Sequence, residues 1–86
     1  MRMFVEMFAN AMEEKLKTKD DERGEDSWLS GNTDIEYLLN RLEDEVRELK
    51  ESFKDCDGKG MTREAVDVGN FAMMIYTRLK RSERFQ

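Results

Sequence analysis

The chain has 86 residues, with 20 acidic against 15 basic side chains, no histidine and one cysteine, which fits a single small domain spanning 1–86. A domain of this size buries only about 60–65% of its unfolded surface, so it needs a further source of stability. Cys56 has no partner for a disulfide and points to a reducing compartment, while the formal charge of −5 argues against nucleic acid or an anionic membrane as partner. Oligomerisation or a bound metal remain. The N-terminal stretch carries Glu6 inside its apolar run, so it reads as neither signal peptide nor membrane span, and the cytoplasm is the expected location.

Along the chain, helical spacing dominates. Phe4, Phe8, Met12 and Leu16 recur every fourth residue and predict a first helix over about 2–20. From Lys19 to Asn32 the periodicity stops; Gly24, Gly31, Ser27 and Ser30 mark a loop, with Trp28 and Leu29 its apolar anchors. Thr33-Asp34-Ile35-Glu36 fits a capping box that starts a second helix at Thr33. Leu38, Leu42, Val46, Leu49 and Phe53 form its stripe and carry it to about residue 54. The stretch Asp55 to Gly60 reads as a turn with two glycines. Thr62 is the expected cap of a third helix, with Met61 and Val66 as a hydrophobic staple around it. Met61, Ala65, Val68, Ala72, Ile75 and Leu79 make the main stripe of that helix, and Phe71, Met73 and Met74 give it a second apolar strip. The expected fold is therefore all-α: a helical hairpin plus an N-terminal helix, forming a four-helix-bundle type of core on oligomerisation.

The two hairpin helices share an acidic pattern. Leu42-x-x-Glu45-x-x-Glu48-Leu49 on the second matches Met61-x-x-Glu64-x-x-Asp67-Val68 on the third. At about 100° per residue, Glu45 lies roughly 60° from Leu42 and roughly 40° from Leu49, and Glu64 bears the same relation to Met61 and Val68. Both acid pairs thus flank a core-facing stripe. In an antiparallel hairpin they converge, and crowded carboxylates at a half-buried edge call for a cation. All-oxygen donors select Mg²⁺, with Mn²⁺ as the alternative. Acids beside an apolar stripe are also the ordinary solvated rim of an amphipathic helix, so register alone leaves both readings open. The turn Asp55-x-Asp57-x-Lys59-Gly60 has the outline of an EF-hand loop, but Lys59 sits at a ligand position and Val66 falls where a bidentate glutamate is required.

Asp44-Glu45-Val46-Arg47-Glu48-Leu49, with Glu64-Ala65-Val66-Asp67 fifteen residues further on, resembles the E-E-x-x-E … E-x-x-D signature of the MazG-like nucleotide pyrophosphohydrolases. Asp67-Val68-Gly69-Asn70-Phe71-Ala72-Met73-Met74-Ile75 is similar to the D-V-x-N-F-x-M-M-I continuation of their small single-domain members, and Lys19, Gly24 and Trp28 to their K…G…W segment. Asp44 departs from the family's usual glutamate. The resemblance implies a helical homodimer or homotetramer with Mg²⁺ held by Glu45, Glu48, Glu64 and Asp67. It also implies cleavage of a nucleoside triphosphate into a nucleoside monophosphate and pyrophosphate, in the manner of enzymes that clean nucleotide pools.

Either Glu45 or Glu48 serves as the base that accepts the water's proton. Trp28 either plugs the core or stacks a substrate base, and Asn70 hydrogen-bonds either substrate or a neighbouring carboxylate. Lys15 and Lys19 meet phosphates or complement the helix dipole. Phe71, Met73 and Met74 read as core or subunit interface before a base pocket, and Arg78, Lys80, Arg81 and Arg84 as a solvated basic tail. The alternative from another class is a non-enzymatic helical dimerisation or interaction module.

Overall fold

A computed structural model describes residues 1–23, 28 and 34–81. Those residues form three helices and no strand: α1 (Met3–Arg23), α2 (Ile35–Lys54) and α3 (Gly58–Arg81). The all-α expectation holds, and no helix among the described residues is long and apolar enough to cross a membrane.

α1 runs three residues past its expected end. Asp20 to Arg23 carry no apolar signal, but all are tolerated in helices, and the first helix-breaking residue in the sequence is Gly24. α2 begins on a different cap from the one expected. Asp34 has an extended backbone, and its carboxylate accepts from Tyr37 N at 2.8 Å. Two neighbouring residues were chemically able to cap, and aspartate is the stronger; Thr33 lies outside the described residues.

The hairpin turn is tighter than the two-glycine loop expected. Asp57 N donates to Ser52 O and Cys56 N to Phe53 O, the paired bonds of a Schellman ending. Cys56 takes the left-handed position, with φ 56°, where glycine would sit without strain. The next residue, Asp57, already caps α3: its carboxylate accepts from Gly60 N at 2.9 Å and its carbonyl from Met61 N. Thr62 is consequently inside α3, where its hydroxyl donates back to Gly58 O at 3.0 Å. The expected staple of Met61 and Val66 loses its cap with it. Cys56→Gly is expected to stabilise the chain by about 0.5–1 kcal/mol, since relief of the left-handed strain exceeds the extra freedom glycine gives the unfolded chain. The midpoint of urea unfolding measures this.

Gly60 is required by close approach. A Cβ there would lie 2.8 Å from Ser52 Oγ and would also strike the Asp57 carboxylate. This lets the start of α3 press against the end of α2. From that point the pairs Ser52–Glu64 and Arg41–Phe71 follow antiparallel register. α1 also packs antiparallel on α3, through Met12–Asn70 and Lys15–Asp67. Gly69 admits the Phe8 ring, whose Cε2 would be 2.7 Å from an added Cβ.

The core is thin. Leu38, 1% exposed, is the one buried hydrophobic side chain among the described residues. Leu42, Val46, Leu49, Met61, Ala65, Val68, Ile75 and Leu79 are half-buried. Met12 and Leu16 are half-buried too, whereas four stripe members depart from the expected core: Phe4, Phe8, Phe53 and Ala72 are exposed, and no other described helix covers them fully.

Candidate metal centre

Glu45 lies on the middle of α2 and is 6% exposed, unusual for a carboxylate. Leu42, Val46 and Leu49 turn that side of the helix toward α3, and Glu45 is carried in beside them. Its carboxyl is pushed up to about 7. Burial is the largest cause; a hydrogen bond with Glu48 and the charges of Glu48 and Asp67 add to it, and Arg41 opposes them. The hairpin therefore brings Glu45, Glu48 and Asp67 within electrostatic reach of one another across two helices.

Three of the four expected metal ligands are engaged by other groups. Arg41 Nη2 stands 3.2 Å from Glu45 Oε1, one helical turn away on α2. Lys15 Nζ, reaching over from α1, is 3.4 Å from Asp67 Oδ1. Ser52 Oγ donates to Glu64 Oε1 at 2.6 Å. Glu48 is exposed. As the side chains stand, no three acids among the described residues are grouped closely enough to hold an ion. The donor chemistry suits a hard divalent cation, and the crowding around Glu45 favours one. Convergence of all four requires Glu64 to turn from Ser52, and Glu45 and Asp67 to leave their cations.

Arg41 also reaches Asp44 at 3.4 Å and lies over the Phe71 ring, 5.3 Å from its centroid. An open groove of about 400 Å³ continues along α2, lined by Arg41, Asp44, Arg47, Glu48 and Glu51. All five lining residues are charged, unlike the mostly apolar lining of a typical small-molecule pocket. Arg47 is paired there with Asp44 at 3.1 Å and Glu43 at 3.8 Å.

The other sequence candidates separate. Asn70, 4% exposed, donates from Nδ2 to Met12 O at 3.3 Å, tying α3 to α1; its Oδ1 is buried without a hydrogen-bond partner among the described residues. Lys19 is exposed, one turn beyond Lys15. Trp28 is half-buried, and its carbonyl accepts from Arg78 Nη1 at 3.2 Å. Arg78 thus leaves the expected solvated tail: it is half-buried in α3, because its long side chain can reach that carbonyl. Lys80 and Arg81 are exposed in the last turn of α3, and Arg84 lies outside the described residues.

Sequence reasoning missed Arg41 and Ser52. Arg41 precedes Glu45 by four residues, the spacing of a helical ion pair, and was legible. Ser52 carries no such mark, since its role depends on the register between two helices.

These elements define an all-helical protein with an acidic hairpin face. No family model matches the chain, and neither curated proteins nor solved structures give a match. The likeness to MazG-like enzymes accordingly rests on the motif residues alone.

Proposed function

We propose that this protein is a Mg²⁺-dependent nucleoside triphosphate pyrophosphohydrolase, cleaving an NTP or dNTP to the monophosphate and pyrophosphate in the service of nucleotide-pool cleaning. The observation that supports it most is the burial of Glu45 against Glu48 and Asp67 from the facing helix. Glu45, Glu48, Asp67 and, once released from Ser52, Glu64 would hold the ion. Bound there, Mg²⁺ would neutralise phosphate oxygens and promote water as nucleophile. The chain's own part is to fix those carboxylates on two rigid helices and to accept the water's proton at Glu45 or Glu48. Asn70, Trp28 and Lys19 remain the proposed substrate contacts. The triphosphate chemistry follows from the motif likeness. Its test is pyrophosphate release from a panel of NTPs and dNTPs with Mg²⁺; silence across the panel, together with no Mg²⁺-dependent rise in melting temperature, removes the proposal.

The active form is a homodimer or homotetramer whose added helices complete a four-helix bundle. Met3, Phe4 and Met7 of α1 are 68%, 70% and 64% exposed. Exposed large apolar side chains gathered at one end of a helix favour a protein contact. Light scattering is expected to give a multiple of 10.2 kDa, and the double variant Phe4→Glu/Met7→Glu a single copy; a wild-type monomer would contradict this.

A second reading, a non-enzymatic helical interaction module, draws support from the same apolar face and from the in-chain partners of Glu45, Glu64 and Asp67.

A further inference from the structure

The longest apolar repeat in the chain is incompletely covered by the chain itself. Met61, Ala65, Val68, Ala72, Ile75 and Leu79 step along α3 by four and three residues alternately, the repeat of a helix that packs along a partner helix. The hydrogen bonds, ion pair, ring contact and glycine approaches that join α3 to its described neighbours lie elsewhere on it. Gly60, Glu64 and Phe71 meet α2, and Asp67, Gly69 and Asn70 meet α1. At about 100° per residue, the repeat is centred roughly 80° from the first trio and roughly 165° from the second. Five of its members are only half-buried, and Ala72 is exposed, with Tyr76 one turn on at 64%. Resting on the oligomer proposed above, we propose that this seam pairs with the same seam of a second copy, antiparallel about a twofold axis level with residue 70.

Size and charge both select that occupant and that direction. Antiparallel pairing sets Met61 opposite Leu79, Ala65 opposite Ile75 and Val68 opposite Ala72, each contact occurring twice by symmetry. In the inner layers an alanine then always faces a larger side chain, the arrangement that interdigitates without voids. Parallel pairing would stack Ala65 on Ala65 and Ala72 on Ala72 and leave gaps. It would also crowd the exposed Lys80 and Arg81 of both copies at one end. Antiparallel pairing sets these cations against the hairpin turn instead, where Asp55 and Asp57 balance Lys54 and Lys59. The seam is its own complement. Phe8, lying on Gly69, and Phe4 one turn before it carry the apolar surface from the seam onto α1.

Two measurements on the full chain test this. Ala72→Glu is expected to keep its helix content by circular dichroism, because position 72 is exposed. In sedimentation equilibrium it is expected to self-associate about tenfold or more weakly than the wild type. Under air oxidation in a Cys56→Gly background, mixed Met61→Cys and Leu79→Cys chains are expected to give a disulfide-linked dimer, and either chain alone none. An oligomer undiminished in Ala72→Glu, or one whose folded mixed cysteine chains do not link, overturns the pairing and leaves the oligomer standing. Linkage of Met61→Cys to itself overturns the antiparallel direction. A wild-type monomer, whether or not it binds phosphatidylcholine vesicles, overturns both pairing and oligomer. Should the cysteine chains fail to fold, Ala72→Glu carries the test alone.

Discussion

Glu45→Gln is expected to make the protein more stable at pH 8, by about 1–3 kcal/mol, and to flatten its stability between pH 5 and 8. The sign follows from the raised carboxyl. In the unfolded chain Glu45 ionises near its ordinary value of 4.5, whereas in the folded chain it holds its proton to about 7. The folded state binds more protons over that interval, so stability is fully present below pH 4.5 and is lost as pH rises through about 7. The gap corresponds to on the order of 3 kcal/mol in the wild type. Glutamine keeps the shape of the protonated acid, and its amide can donate to Glu48. Loss of the Arg41 partner offsets part of the gain. Chemical denaturation at several pH values measures this. Mg²⁺ at pH 8 is expected to restore the wild type's lost stability and to do little for the variant. An unchanged pH slope in Glu45→Gln would show that Glu45 is not the crowded group.

Glu48→Gln separates chemistry from folding. Glu48 is exposed, so its replacement is expected to change stability by no more than about 0.5 kcal/mol. Pyrophosphate release is expected to fall by about 10²- to 10⁴-fold, the range for loss of an essential carboxylate in proton transfer. Removing one negative charge beside Glu45 also lets that carboxyl ionise at lower pH. Steady-state kinetics with saturating Mg²⁺ give the comparison. Full activity in a folded Glu48→Gln chain would break the assignment of the acidic cluster.

The architecture was largely legible because it depends on local periodicity. The stripes of α2 and α3, the end of α2 near Lys54 and the short connection all follow from residue spacing. Cap positions were misplaced by one residue at Asp34 and by five at Asp57. In both cases several capping residues stand close together, and only backbone geometry chooses among them. The fate of the apolar stripes was less legible. Periodicity marks Phe4 and Phe53 as apolar but does not say whether another surface covers them. At the acidic face, Glu48 and Asp67 act electrostatically on Glu45, but the expected group of Glu45, Glu48, Glu64 and Asp67 is not assembled among the described residues, and the partners that hold three of them were missed or undervalued. Lys15 reads as a helix-end lysine until α1 is placed on α3. Ser52 gains its role only from the close packing that Gly60 permits.

The most direct test of a metal-dependent pyrophosphohydrolase follows the nucleotide's phosphorus atoms by ³¹P NMR, with Mg²⁺ added and withheld. Conversion of an NTP or dNTP to its monophosphate and pyrophosphate is expected, only with Mg²⁺ present and lost in Glu48→Gln. Release of a diphosphate and inorganic phosphate, or no conversion of any nucleotide by the folded protein, would contradict it.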